Sequence, residues 1–198
     1  MTPVVIRRLG APHLVALLDH LERVSLRGGS IVDRREMRTR YGEILASTSR
    51  TRSWAVLWGA WTGASVVGHV EVRSEAEADA PHRGRLDWWV EPDVEGRSVG
   101  QQLVAAAVAW SIAHPDLEWL DAGVTDDDAE RLSVVRANGF TIVGRVPDRF
   151  RIGGRSVGDV LVARRVAAWR GRDAGRADVV DRTDRHVPSA GGVLLRSH

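Results

Sequence analysis

Residues 86–140 constrain the fold more than any other stretch of the chain. Leu86–Val90 is a run of apolar and aromatic residues with strand character. After a short turn comes a helical pattern with Val99, Leu103, Ala106 and Trp110 on one stripe. That helix should stop at His114, because the residue before Pro115 disfavours helical dihedrals. A second strand, Trp119 to Val124, and a second helix follow, the latter ending at Asn138-Gly139, a left-handed stop onto which Phe140 folds back. Strands alternating with helices predict an α/β architecture. The turn between the first strand and its helix, Glu95-Gly96-Arg97-Ser98-Val99-Gly100-Gln101, is a natural seat for phosphate. Free backbone N–H groups and the positive end of a helix dipole meet there. Gly96 and Gly100 add no side chain that would keep phosphate from the backbone.

The flanking chain supplies further elements. Val4 to Arg8 reads as a strand, and a helix from about Pro12 carries Leu14, Leu17, Leu18 and Leu21 at helical spacing. Ser25 to Ser30 reads as a break, and Asp33 as the N-cap of a second helix through about Leu45. Trp54 to Trp58 and Val66 to Val72 are expected strands, with a turn over Trp61 to Ala64 and an acidic loop from Ser74 to Arg83. Asp126, Asp127 and Asp128 are placed in the first turn of the helix that follows Trp119–Val124, where the dipole favours acids. Thr141 to Phe150 and Val157 to Val166 form a hairpin around Ile152-Gly153-Gly154-Arg155. The order is β-α-α-β-β-β-α-β-α-β-β. Residues 1–168 form one domain, and 169–198, rich in Arg, Asp and Gly without periodicity, read as a disordered tail.

Composition narrows the class. At 198 residues, 43% hydrophobic and 27% charged, the chain can bury a sizeable core. No apolar run approaches the ~20 residues of a membrane span, and no signal-peptide core is evident, so a cytoplasmic location is expected. Cysteine is absent, which excludes disulfides and a thiol nucleophile. All 28 basic residues are arginine and the net charge is only +2. Arginine binds phosphate bidentately, which suits a nucleotide-bearing ligand and nucleic acid equally. No repeat, Walker motif, metal-ligand cluster or Ser-His-Asp pattern suggests another enzyme class, and no metal is expected.

Val90-Glu91-Pro92-Asp93-Val94-Glu95-Gly96-Arg97-Ser98-Val99-Gly100, together with Val134-Val135-Arg136-Ala137-Asn138-Gly139-Phe140 downstream, resembles the GNAT superfamily of acyl-CoA-dependent N-acyltransferases. That family shows V-x-P, about two residues, then Arg/Gln-x-x-Gly-x-Gly/Ala at a helix mouth, and later Leu-Tyr-x-x-x-Gly-Phe. The likeness covers roughly residues 4–166. It implies a mixed sheet whose fourth and fifth strands splay apart. Pantetheine of acetyl-CoA would enter that gap along Trp88, Trp89 and Val90, with Asp128 nearby. The pyrophosphate would sit on amides from Gly96 and Arg97 through Ser98, Val99, Gly100 and Gln101.

The resemblance further implies direct acetyl transfer from acetyl-CoA to a primary amine of a small molecule or a protein N-terminus. Asp87 and Glu71 are candidate bases, Ser133 a candidate acid, and His69 a possible relay. The chain departs from the family pattern at Glu95 (usually Arg or Gln), Ser98 (Gly), Asp128 (Asn) and Val135 (Tyr, the usual thiolate acid). The first two helices and the loop Arg27 to Arg34, which in that family usually form the acceptor wall, carry Arg27, Arg34, Arg35, Arg38 and Arg40 with Asp33 and Glu36, which would suit an acceptor with a negative group. Trp88 and Trp89 point to opposite faces of their strand, one into the core and one towards the acceptor. The alternatives are a non-catalytic CoA-binding module, motivated by Glu95 and Val135, and an Arg-rich nucleic-acid binder, weakened by the acids interspersed in the tail. A homodimer is left open.

Overall fold

Seven strands form one sheet in the order β1-β2-β3-β4-β5-β7-β6. The structure, a computed structural model, describes residues 3–27, 33–46, 55–74, 80, 82–92, 94 and 96–167. The strands are β1 (Val5–Arg8), β2 (Ala55–Thr62), β3 (Ser65–Ser74), β4 (Arg83–Val90), β5 (Trp119–Thr125), β6 (Thr141–Ile152) and β7 (Arg155–Arg165). The helices are α1 (Leu14–Arg27), α2 (Arg34–Ala46), α3 (Gly96–Ala113) and α4 (Ala129–Ala137). All neighbouring strands run antiparallel except β4 and β5. This is the expected mixed α/β order. By contacts the chain divides into Met1–Ala168 and Trp169–His198, and the expected disordered tail lies outside the described residues.

Several boundaries differ from the sequence expectation, each for a physical reason. The turn between β2 and β3 shrinks to Gly63-Ala64, because Trp61, 5% exposed, stays in the ladder opposite Val5 and Val66. Helix α1 runs on through Ser25 to Arg27, while Trp54 lies outside the described residues. Helix α4 starts only at Ala129: Asp128 is its N-cap, its side chain accepting from the Arg131 N–H at 2.8 Å. Asp126 therefore belongs to the preceding turn, where it accepts from the Gly158 N–H.

Two of the punctuation marks fall where they were read. Gly139 has φ +76°, its N–H reaches the Arg136 carbonyl, and the Phe140 N–H reaches Val135, which closes a Schellman stop. Gly153 and Gly154 both have positive φ and turn β6 into β7.

The feature that shapes the site is the β4–β5 pairing. It covers only Arg83–Arg85 opposite Trp119–Asp121 and is clamped by Arg83 Nε donating to Asp121 at 2.7 Å. Beyond Arg85 the two strands diverge. Leu86–Val90 keeps its β3 partners and has a free edge facing α4. Each sheet face is covered by its own core. Val70, Val72, Leu86 and Trp88 pack on α3 and α4 with Val99, Leu103, Val104 and Val134. Leu57, Trp61 and Val66 pack under α1 and α2 with Leu17, Leu21 and Tyr41.

Candidate active site

The pleat of β4 decides what each side of the gap sees. Trp88 is 2% exposed and lies in the α3/α4 core, whereas Trp89 is 46% exposed and turns the other way. A cavity of about 330 Å³ lies in the splay, lined by Trp88, Trp89, Val90, Glu91, Pro92, Asp128, Glu130, Arg131 and Val134. A second, of about 370 Å³, lies on the α1/α2 face. Alternate residues of β3 (His69, Glu71, Arg73) and β4 (Asp87, Trp89) floor it, while α1 and α2 wall it with Leu21, Val24, Ser25, Met37, Arg40 and Tyr41. Trp89 borders both cavities.

Of the residues expected at the cofactor site, Trp88, Trp89, Val90 and Asp128 come together around the first cavity. Helix α3 begins at Gly96, so helix geometry leaves the N–H groups of Gly96, Arg97 and Ser98 without intrahelical partners. Those of Val99, Gly100 and Gln101 fall within the helical ladder, so the expected run of free amides shifts towards the helix start. Val99 is buried, and Gly100 lies against its neighbours: a Cβ there would sit 3.6 Å from Trp88 Nε1 and 3.6 Å from Val134 Cγ2. Gln101 and Ser98 have exposed side chains.

Arg131 was not anticipated. Its guanidinium donates to the Trp88 carbonyl on the free edge of β4 (3.0 Å), pairs with Asp87 (3.3 Å) and lies 4.1 Å over the Trp88 ring. Its Nε is buried and has no hydrogen-bond partner among the described residues. A free strand edge and the buried Arg131 N–H beside one cleft fit a ligand with amide carbonyls, and the N-terminus of α3 fits one with phosphates.

Of the candidate catalytic residues, Glu71 and Asp87 line the second cavity as direct cross-strand partners. Glu71, 2% exposed, faces Arg73 at 3.3 Å and Arg40 at 3.7 Å, with the Tyr41 hydroxyl 3.5 Å away. Asp87 accepts from the Trp88 N–H and pairs with Arg131. The arginines offset what would otherwise be repulsion between adjacent carboxylates. Burial, and then the Glu71 charge, push the Tyr41 hydroxyl up to about 12, so it stays protonated. Ser133 does not join this group: it is exposed on α4 and lines neither cavity, because the inward positions of that helix are Leu132, Val134 and Val135.

His69, the possible relay, belongs to a buried polar chain whose other members, His20 and Glu91, were not anticipated. His69 Nδ1 lies 3.0 Å from His20 Nε2, and His20 Nδ1 lies 3.0 Å from Glu91 Oε1. Arg23 Nε donates to the same oxygen at 2.9 Å. Burial holds His69 well below the usual imidazole value, with His20, Arg131 and Arg40 adding to the effect. Burial also lowers His20, against an opposing pull from Glu91.

Both rings are therefore neutral in the folded protein where the unfolded chain, titrating near 6.5, starts to take up protons. The unfolded state binds more protons below that pH, so stability should fall as the pH drops from about 6.5 towards the folded-state values. Each ring contributes up to ~1.4 kcal/mol per pH unit, and the effect fades out about one unit above 6.5. Urea unfolding at pH 8, 6.5 and 5.5 should show a loss of roughly 1–2 kcal/mol over the last step, larger than that over the first, and reduced in a His20→Gln/His69→Gln protein. An unchanged midpoint between pH 6.5 and 5.5 would contradict it.

A model of the acetyltransferase (GNAT) domain matches residues 5–141, and the chain belongs to the GNAT acetyltransferase family. Solved structures share the fold. The GNAT-family acetyltransferase from Streptococcus pneumoniae has a TM-score of 0.72 at 18% identity, over 83% of this chain and 100% of that one. A phosphinothricin acetyltransferase from Sinorhizobium meliloti, solved in complex with AcCoA, has a TM-score of 0.71 at 17% identity, over 83% and 89%. The ribosomal-protein-alanine N-acetyltransferase from Brucella melitensis has a TM-score of 0.63 at 19% identity, over 81% and 99%. No curated protein matches the chain. No helix among the described residues is long and apolar enough to cross a membrane.

Proposed function

We propose that the protein transfers an acetyl group from acetyl-CoA directly to a primary amine, both substrates being held at once. The observation that carries this reading is the pair of cavities meeting at Trp89, one in the β4–β5 splay and one under α1 and α2. Acetyl-CoA supplies an activated acyl carbon. The free edge of Leu86–Val90, Arg131 and the first amides of α3 would hold it. On the other side Glu71 and Asp87 face the cavity as anions suited to an incoming ammonium group, and Met37, Tyr41 and Trp89 shape its apolar part. Arg40 and Arg73, also at that cavity, suit an acceptor with a carboxylate or phosphonate beside its amine. Holding both reactants in one frame converts a bimolecular step into an effectively unimolecular one, which requires no covalent acetyl-enzyme.

The test is incubation with acetyl-CoA and a defined amine panel. It should include amino acids, phosphinothricin and peptides with N-terminal alanine or serine, since the relatives' names point to two of these. The expected product carries one acetyl group on nitrogen, by mass spectrometry, with an equal amount of CoA released.

A further inference from the structure

The buried chain His69–His20–Glu91 links a residue of the amine-side cavity to α1 and to the end of β4. The Glu91 carboxylate, paired with Arg23, accepts hydrogen bonds only, so His20 must present Nδ1–H to it. A neutral His20 then has a lone pair on Nε2, and the 3.0 Å contact requires His69 to carry its own proton on Nδ1. The one unprotonated nitrogen left over is His69 Nε2, on a side chain that lines the amine-side cavity beside Glu71 and Asp87. The other end, Glu91, lines the cavity in the splay. The chain therefore runs through the protein interior from one cavity to the other, with every internal hydrogen bond pointing the same way.

We propose that His69 is the catalytic base of the transfer and that His20 and Glu91 are positioning residues that carry its proton onward to the opposite cavity. The proposal rests on the acetyltransferase reading above. As the amine nitrogen bonds to the acetyl carbon, its proton moves to His69 Nε2, the His69 Nδ1 proton moves to His20 Nε2, and the His20 Nδ1 proton moves to Glu91. The C–S bond breaks with its electron pair on sulfur, and the thiolate takes a proton from solvent. Glu91 releases its proton to the splay cavity, which leaves both rings protonated on Nε2; the starting arrangement returns when a proton re-enters at Glu91 and passes back along the chain while His69 Nε2 gives its proton to solvent through the emptied amine-side cavity.

The surroundings suit this use. From α2 the ring is faced by Arg40 and Tyr41, from β3 by Glu71, from β4 by Asp87 and from α4 by Arg131. Arg40 and Arg131 oppose a lasting positive charge on the ring. A proton should pass through it and not rest there. Glu71 and Asp87, already engaged with arginines, bind the acceptor and are not the base.

The test uses the full chain and the amine that the wild type acetylates fastest. His69→Ala should lower kcat about 10²–10³-fold, leave KM for acetyl-CoA within about twofold, and recover at least tenfold with added imidazole. His20→Gln and Glu91→Gln should lower kcat about tenfold and make it rise with buffer concentration, whereas the wild-type rate is independent of buffer. A merely structural role would give no rescue by either base. Independently of turnover, nitrogen-15 spectra should show both rings protonated on Nδ1 at pH 7. His69→Gln replaces His69→Ala if the latter does not fold.

A wild type that binds acetyl-CoA but acetylates no amine overturns the acetyltransferase reading and the relay together. An active wild type whose variants keep their rates, or lose them without rescue, overturns the relay alone. So does a ring protonated on Nε2.

Discussion

Trp88→Ala should lower the unfolding free energy by about 3–5 kcal/mol, whereas Trp89→Ala should change it by less than ~1 kcal/mol and remove most of the transfer activity. The two residues are adjacent, and the pleat alone separates their fates. Trp88 is buried in the α3/α4 core, against Gly100 and under the Arg131 guanidinium. Truncating it leaves a cavity that a strand pinned by β3 cannot close. At roughly 2–4 °C per kcal/mol for a domain of this size, Tm should fall by about 6–20 °C. Trp89 is 46% exposed and borders both cavities, with little packing to lose. Without its indole the amine would lose one wall of its seat. Thermal unfolding of both variants, with CoA release at 25 °C, checks the pair. Equal destabilisation by the two substitutions would contradict the assignment of faces.

The second expected result concerns Gly100. Gly100→Ala should keep acetyl-CoA binding within a few-fold and should stabilise α3 by up to ~1 kcal/mol, since alanine is the better helix former. Its Cβ would make ordinary contacts at 3.6 Å with Trp88 and Val134. Gly100→Glu should abolish measurable binding, a loss above about 100-fold. The longer chain cannot fit between those two neighbours, so the first turn of α3 must move off β4 and α4. Its carboxylate also brings negative charge to the end of the helix that attracts phosphate. Calorimetric titration of both variants with acetyl-CoA separates the effects. Undiminished binding by Gly100→Glu would mean that the cofactor sits elsewhere, and weak binding by Gly100→Ala that it lies directly against Gly100.

Much of the frame was legible in the sequence because it depends on local rules. A short apolar and aromatic run marked β4, the 3.6-residue stripe and Pro115 bounded α3, and Asn138-Gly139 and Gly153-Gly154 marked a helix stop and a hairpin turn. The site was less legible because it depends on register. That Glu71 and Asp87 stand opposite each other follows from the β3–β4 pairing, which the chain shows only once folded. His20 looked like one polar position beside the leucines of an amphipathic helix, and nothing near it in sequence points to His69, 49 residues away, or Glu91, 71 away. Arg131 was one arginine among 28, and it matters because β5 leaves β4 after three paired residues. Ser133 stands two residues before the buried Val135, and two steps along a helix are a turn of about 200°, which places it in solvent.

The decisive measurement is the initial rate of CoA release by the wild type, with acetyl-CoA and the best amine both varied. Intersecting double-reciprocal lines, with no acetylated protein by mass, are the result that follows from two cavities meeting at Trp89. Parallel lines with an acetyl-enzyme, or no CoA release with any amine, would contradict direct transfer at this site.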